Sequence, residues 1–406
     1  MWTGNIFNVT RPVKFDESIT EYEYRTYSPY LANSLDQSDE IRIPIQNQDA
    51  LVVPGASFIL LEGVLDKSED ATATFVQNAF AFLFDEVRYE LGGITIDEIR
   101  NVGITTTMKG HASLSSTEFP QASNYGWGEE GLITDSEGNF NVCIPLSHLL
   151  GFAEDYKEPI INMKHELVLL RGNNDKQCIV TRDAEKGKKV KINLRKLAWK
   201  IPHVKLSDEN KLGLLQIINS PDAVLQIPFR SWNINELPTL QTGSQSFSWP
   251  VRSSNQLEKA RWILFALQVS RNNDLTKNSS EFDHADLSEL QVQLNSVKFP
   301  YEPLTMNFEK QQFALAYQGF SSFQKSYYSD NPVRGPVLSK EVFKSKAPIF
   351  IINCSKQEEA IKAGSVELKI EFRTRKPMAQ NTKAFAVILH DRVIEYSPLY
   401  QTVRRM

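Results

Sequence analysis

A hairpin signature that occurs twice, half a chain apart, is the feature that most constrains this sequence. In the first copy, Asp85 to Ile96 (DEVRYELGGITI), apolar and polar residues alternate on both sides of Gly92-Gly93. Glycine accepts the positive φ of a two-residue turn, so the segment predicts two antiparallel strands joined by a tight turn. About 203 residues later, Leu290 to Phe299 repeats the alternation around Asn295-Ser296. The chain has 406 residues, so this shift equals half its length and predicts an internal duplication.

Other segments recur in the same order, at shifts between about 201 and 206 residues. They are Ala56 to Leu65 with Ala260 to Val269, the helical segment from Asn101 with that around Phe313, His165 to Leu170 with Val366 to Phe372, and Val190 to Val204 with Lys383 to Tyr396. Each half then holds about eight short strands and a helix inserted after the hairpin. This pattern predicts an all-β chain of two tandem eight-stranded antiparallel jelly-roll sandwiches with short inserted helices. The alternation of strands and long helices that a parallel sheet requires is not seen.

The domain organisation follows from the repeat. We expect an N-terminal arm at residues 1–30, a first jelly roll at 31–206 and a second at 207–406. The arm is polar, with scattered aromatic residues and no clear period. An extended segment lying on the body or on a neighbour fits it about as well as a frayed terminus.

Local patterns add finer expectations. The apolar residues that lead into the first hairpin stand at even positions: Phe80, Phe82 and Phe84. Val87 stands at an odd position, and this change in the alternation predicts a bulge near Asp85-Glu86. Within Val190 to Val204 the apolar positions also change from even to odd, between Leu194 and Leu197. This change predicts a second bulge. Asn101 to Gly110 is expected to form a short helix that Gly110 ends.

Composition narrows the class of protein. Hydrophobic residues make up 41% of the chain, which is enough for sizeable cores, and no stretch approaches the ~20 apolar residues of a membrane span. The N-terminus shows no signal-peptide pattern. Three widely spaced cysteines indicate reduced thiols and an intracellular origin. The net charge of −4 argues against a protein that coats nucleic acid by charge.

No catalytic constellation stands out. The chain lacks a Walker-type phosphate loop, G-x-G-x-x-G, H-E-x-x-H and C-x-x-C. Its six histidines never fall two to four residues apart, so the metal site of a cupin-like jelly roll is not expected. The sequence therefore predicts no enzyme, no catalytic residue, no metal site and no cofactor.

Two surface features are candidates for contacts. Tyr125 and Trp127 lie in a long polar, turn-rich stretch, which predicts an exposed or intersubunit loop. A basic cluster follows later in the chain, and its interpretation as a solvated strand face is favoured over a nucleic-acid contact. The cluster consists of Lys186, Lys188, Lys189 and Lys191.

Several of these segments resemble a known family. Ala79 to Asp97 is similar to the first-domain hairpin of the double jelly-roll major capsid proteins, and Asn381 to Met406 resembles the C-terminus of their Maverick/Polinton and adintovirus-like branch. The segment from Asn101, the helix from Phe308 and Ile144 to Phe152 fit as well. The resemblance covers roughly residues 35 to 406, and its motifs are structural rather than catalytic.

The resemblance implies a function in assembly. It implies a homotrimer of pseudo-hexameric shape, the capsomer of the icosahedral shell of a double-stranded DNA virus or virus-like transposon. Neighbouring capsomers, penton proteins and minor capsid proteins are the implied partners, without sequence-specific nucleic-acid binding or a membrane span. The implied location is the virion, assembled inside the host cell, with nucleus or cytoplasm left open. The rival from another class is a two-domain β-sandwich module that binds carbohydrate or a receptor.

Overall fold

The structure is a computed structural model. It describes residues 18–30, 35–45, 51–67, 70, 72–128, 133–218, 224–251, 260–271, 274–328, 335–356 and 367–406.

Strands dominate both halves of the described chain. The strands of the first half are β1 (Ile19–Tyr27), β2 (Glu40–Ile45), β3 (Leu51–Val52), β4 (Phe58–Asp66), β5 (Thr74–Phe75), β6 (Phe84–Leu91), β7 (Ile94–Arg100), β8 (Asn139–Pro145), β9 (His165–Arg171), β10 (Ile179–Val180) and β11 (Lys191–Leu206). Those of the second half are β12 (Leu225–Leu237), β13 (Ser246–Val251), β14 (Ala260–Val269), β15 (Leu287–Leu294), β16 (Val297–Thr305), β17 (Phe350–Asn353), β18 (Leu368–Thr374), β19 (Thr382–Ser397) and β20 (Thr402–Arg405).

The helices are short and lie between strands. They are α1 (Val102–Ser113), α2 (Phe119–Ala122), α3 (Leu146–Leu149), α4 (Gly151–Asp155), α5 (Ala184–Gly187), α6 (Asp208–Ile218), α7 (Ala314–Tyr328) and α8 (Lys340–Lys346). In the part of the chain that the structure describes, no helix combines the length and the apolar character needed to cross a bilayer.

Each half forms two main antiparallel sheets, and their strand order is the same in both halves. The first half has the orders β1-β11-β4-β8 and β2-β9-β6-β7. The second half has β12-β19-β14-β17 and β13-β18-β15-β16. Taken in chain order, the eight main strands of one half therefore occupy the same eight places as those of the other. This is the double jelly roll expected from the repeat.

The two predicted hairpins lie at matching places in the two halves. Leu91 pairs with Ile94 across Gly92-Gly93, whose φ angles are 58° and 83°, as a tight turn requires. Leu294 pairs with Val297 in the second half, and Asn295 has φ 52° at the turn between them. The N–H of Gly92 donates to the Lys164 carbonyl (2.9 Å), and that of Asn295 donates to the Glu367 carbonyl (2.8 Å). The duplication thus extends to individual backbone hydrogen bonds.

Both bulges expected from parity are confirmed. The register of β6 against β9 shifts between Phe84 and Glu86, and that of β11 against β4 shifts between Leu194 and Lys196. Phe80 and Phe82, however, lie in a 3₁₀ turn, Ala79–Leu83, rather than in the strand. All five residues of this turn are buried, so apolar alternation there reports burial and not extended backbone.

The segment from Asn101 is helical, but it extends past Gly110 to Ser113. Gly110 serves a packing purpose instead, because a Cβ there would lie 2.1 Å from the Trp127 ring. α6 connects the last strand of the first half to the second half.

Part of the expected N-terminal arm is a regular strand. β1 pairs antiparallel with β11, from Ile19 opposite Leu206 to Tyr27 opposite Trp199. In the second half, β12 holds the same place beside β19. Residues 19–27 therefore lie on the body of the protein, and residues 1–17 are outside the described chain.

Candidate functional site at the junction of the two halves

The two sandwiches meet along a junction formed by β7, α1 and α4 of the first half and by β12 and α7 of the second. No backbone ladder joins β7 to β12 among the described strands, so side chains make this contact. Polar and charged groups lie near its centre, and several of them pair with a group from another element. The junction is therefore held by specific pairs as well as by apolar packing.

One deeply buried pair is Lys109 with Glu154. Lys109 Nζ lies 2.8 Å from Glu154 Oε2, and the two side chains are 2% and 11% exposed. The hydroxyls of Tyr327 and Tyr328, from the second half, donate to the same carboxylate at 3.1 and 2.6 Å. Burial alone would raise the pKa of Glu154, but Lys109 and the Tyr328 hydroxyl hold it below its ordinary value. The carboxylate is thus ionised and ties the halves together.

A second ion pair lies beside the first, and this one crosses the junction. The Arg230 guanidinium binds Asp155 through Nε (2.9 Å to Oδ2) and a terminal nitrogen, and the Arg230 backbone N–H donates to the same oxygen at 2.7 Å. The guanidinium also stacks on the Tyr327 ring, 3.6 Å from its centre. Burial would lower the pKa of Arg230, and Asp155 raises it instead. This bidentate geometry fixes the angle between α4 and β12.

A third contact is centred on Asp97, which is 1% exposed on β7. Ser231 Oγ donates to Asp97 Oδ1 at 2.6 Å, and the backbone N–H of Phe152 donates to Oδ2 at 3.0 Å. Arg392 of β19 lies 3.6 Å from the same carboxylate. One aspartate thus connects β7, α4, β12 and β19.

Backbone also approaches backbone closely here. A Cβ on Gly151 would lie 1.7 Å from the carbonyl oxygen of Arg230, so only glycine fits at the start of α4. Next to it, the rings of Phe152 and Phe229 meet edge to face with centroids 5.2 Å apart. Such contact leaves the two halves little freedom to hinge.

The end of the second half crosses back over the first. Arg405 Nε donates to the Thr95 carbonyl at 2.7 Å, and Asn162 Nδ2 donates to the Pro398 carbonyl at 2.8 Å. The Tyr396 hydroxyl donates to the Ile161 carbonyl. These bonds extend the junction from its buried centre to its rim.

The structure corrects the expected exposed loop at Tyr125 and Trp127. Trp127 is only 1% exposed, and its Nε1 donates to His148 Nε2 at 3.2 Å. The Tyr125 ring is half-buried, 5.0 Å from the His148 ring. Gly110 leaves the space into which the indole packs, so the stretch folds onto α1 instead of projecting into solvent.

The basic cluster lies apart from the junction. Lys186, Lys188, Lys189 and Lys191 are all exposed, at α5 and the start of β11. Lys188 pairs with Glu185 at 2.6 Å, and Lys186 lies 3.9 Å from Asp183. Neighbouring acids thus offset part of the positive charge.

The junction residues have few distinguishing features in the sequence. Lys109 carried one usable signal, since it is the only Lys, Arg, Asp or Glu in α1 (VGITTTMKGHAS). Asp97, Asp155 and Arg230 look like ordinary surface charges in their segments. Within the described ranges, no group of three or more His, Cys, Asp or Glu side chains is placed to hold a metal ion. The junction has the chemistry of a structural joint.

Two similar sandwiches fixed edge to edge define the double jelly-roll fold. A family model described as "Double jelly roll-like domain" matches residues 73–394, and the chain belongs to this family. No curated protein matches the sequence.

Solved capsid structures share the fold over nearly the whole chain. PBCV-1 VP54, fitted into a reconstruction of the virophage Sputnik, has 9% identity, covers 98% of each chain and gives a TM-score of 0.61. The mavirus major capsid protein has 11% identity, 99% and 93% coverage and a TM-score of 0.60. The Faustovirus major capsid protein has 10% identity, 96% and 92% coverage and a TM-score of 0.61. At such identities the likeness establishes the fold.

Proposed function

We propose that this chain is a major capsid protein whose homotrimer is a pseudo-hexameric capsomer of an icosahedral shell. The observation that carries the proposal is the repeat of eight strand positions in two halves that a buried polar junction holds at a fixed angle. Three such chains around a threefold axis present six similar lobes, which tile a hexagonal net. The major capsid proteins with the same fold support this assignment.

The finer parts of the proposal rest on the sequence resemblance. We assign the chain to the Maverick/Polinton and adintovirus-like branch, from a double-stranded DNA virus or virus-like transposon. Its place is the virion, with neighbouring capsomers, penton proteins and minor proteins as partners. We take 31–206 and 207–406 as the two lobes, and we add β1 to the first lobe because it pairs with β11. The exposed lysines near α5 form a solvated face.

The rival function is a carbohydrate- or receptor-binding module. An exposed aromatic platform such as Tyr125 and Trp127 would suit it, but the indole of Trp127 is buried. A glycan array on the unassembled protein tests the rival, since specific binding to a glycan would favour it.

Light scattering and negative-stain microscopy of the purified full chain test the capsid function. We expect three times the chain mass of 46.2 kDa and particles of six-sided outline. A monomer at micromolar concentration, or particles without threefold symmetry, would contradict the proposal.

A further inference from the structure

The helix α6, which connects the two halves, borders an apolar groove that the described residues leave open. The groove has a volume of about 720 Å³. Apolar side chains line it on both sides, with Leu51, Ile161 and Val204 on the body and Leu214, Leu215 and Ile218 on α6. Leu215 is 38% exposed, so part of this lining still meets solvent. An apolar hollow with an open wall is typical of a binding surface.

The body side of the groove has a small apolar cluster of its own. Three buried residues form it apart from the main core, namely Leu51, Val53 and Val204. Leu214 of α6 packs against this cluster. Leu215 borders the hollow, whereas Leu212 is 63% exposed and lies outside the lining. The helix therefore contacts the body without filling the space beside it.

The described chain begins at the rim of this groove. The backbone N–H of Ser207, directly before α6, donates to the Ser18 carbonyl at 3.0 Å. Thr20, two residues further along, is part of the groove lining. Residues 1–17 are therefore attached to the body at a point beside the open hollow.

The sequence of residues 9–15 (VTRPVKF) suits such a groove. Its apolar residues are Val9, Val13 and Phe15. Five extended residues span up to about 17 Å, and an 11-residue helix such as α6 is about 16 Å long, so Val13 can reach any point along α6 from Ser18. Asp208 on the rim offers a carboxylate to Lys14. The segment thus supplies apolar side chains and a charge that match the lining and its rim.

We infer that residues 9–15 lie in this groove and cover Leu215 and the small apolar cluster. The occupant is a segment of the same chain, because the segment is attached at the rim. A hollow of this volume also admits a few side chains and excludes a folded domain. Tethering raises the effective concentration of a segment to the millimolar range, so weak apolar contacts are enough to hold it. The inference does not depend on the proposed capsid function.

Limited digestion of the full chain with trypsin tests whether the segment is docked. Trypsin cuts after Lys14 but not after Arg11, which Pro12 follows, so it releases a peptide of residues 1–14 that contains Trp2. Leu215→Glu places a charge in the apolar groove. We expect this variant to release the peptide about tenfold faster than the unsubstituted chain. Mass spectrometry and the fluorescence of the peptide measure the rate.

Leu212→Glu is the matched control. It makes the same change on the same helix, at a side chain that is exposed and does not line the groove. We expect it to leave the rate of release unchanged. Circular dichroism establishes that both variants fold. Equal rates in all three chains would overturn the inference, since the segment would then be independent of the groove.

Hydrogen exchange gives a second measure from the side of the segment. Val13→Asp should raise the deuterium uptake of α6 severalfold, because the charge expels the segment and uncovers the helix. Thr3→Asp, outside the docked residues, should leave this uptake unchanged. The same uptake in Val13→Asp and in the unsubstituted chain would contradict the docking.

Crosslinking distinguishes a segment of the same chain from that of a neighbouring copy. The double variant Val13→Cys and Leu215→Cys is treated with a short bismaleimide, with the unsubstituted chain, which has Cys143, Cys178 and Cys354, as the control. A crosslink that joins the two positions at the mass of one chain, 46.2 kDa, supports the inference. A product of twice that mass overturns it in favour of exchange between copies. Light scattering on the same samples reports the trimer, so the inference and the proposed function can fail separately.

Discussion

Lys109 and Glu154 form an ion pair of 2.8 Å inside the first half, and two tyrosines of the second half complete it. Removing one member would leave a buried charge without its partner. We expect Lys109→Met to lower the free energy of unfolding by about 3–5 kcal/mol. Urea denaturation followed by circular dichroism measures this change. The matched control is Lys188→Met, which breaks an exposed pair with Glu185 and is expected to cost less than about 1 kcal/mol. Equal losses of stability in the two variants would contradict the conclusion that the buried Lys109 pair contributes more than an exposed pair.

Gly151 is expected to tolerate no side chain, because its Cβ would overlap the Arg230 carbonyl oxygen. Gly151→Ala should therefore move β12 away from α4. The expected decrease in the free energy of unfolding is about 1–3 kcal/mol or more, as for other overpacked cores. Thermal unfolding measures the loss. Gly213→Ala in α6 is the control, since nothing lies within 4 Å of its Cβ and alanine favours helix by up to about 1 kcal/mol. A Gly151→Ala chain as stable as the parent would show that the halves can shift apart freely.

The first hairpin turn should be sensitive to side chains because of its backbone conformation. Gly93 has φ 83° and open space around its Cβ, so Gly93→Ala tests conformational strain without a clash. We expect a cost of about 1–2 kcal/mol, measured by denaturant unfolding. Asn295→Ala, at φ 52° in the second hairpin, should cost about 0.5–1.5 kcal/mol, because it removes the hydrogen bond that the Glu367 N–H donates to Asn295 Oδ1. No loss at either position would argue against turns that need left-handed residues.

Acid should destabilise the protein through its buried histidines. Burial, and then Lys109, lower the pKa of His148 from 6.5 to about 3. Below pH ~6.5 the unfolded chain binds a proton that the folded chain refuses until about pH 3, so stability is complete above this window and falls with pH inside it. Replacing His148 with Gln should reduce the slope of unfolding free energy against pH by up to about 1.4 kcal/mol per unit. Denaturation series between pH 7 and 4 measure both slopes, and identical slopes would contradict the prediction.

The sequence predicted those parts of the fold whose signals are local. The Gly92-Gly93 turn and the parity changes at the two bulges depend on neighbours in the chain, and turn chemistry and alternation reveal them. β1 could not be predicted in this way, because none of its residues is buried and no alternation therefore marks it as a strand. Edge strands that face outward leave little trace in the hydrophobic pattern.

The junction could not be predicted because its contacts join distant parts of the chain. Arg230 meets Asp155 across 75 residues, and Ser231 meets Asp97 across 134. The burial of Trp127 likewise depends on the gap that Gly110 leaves on α1. Patterns within a segment carry no information about which remote charge or hollow will face it.

The pairing of β1 with β11 has a consequence for synthesis on the ribosome. Ile19 cannot meet Leu206 until almost the entire first half has been translated. At ~5–20 residues per second, the nascent first strand waits on the order of ten seconds for its partner. The same delay recurs for β12 and β19. Each lobe is thus complete only when its last long strand, β11 or β19, has been synthesised. Until then the first strand of the lobe has an unpaired edge to which cotranslational chaperones could bind.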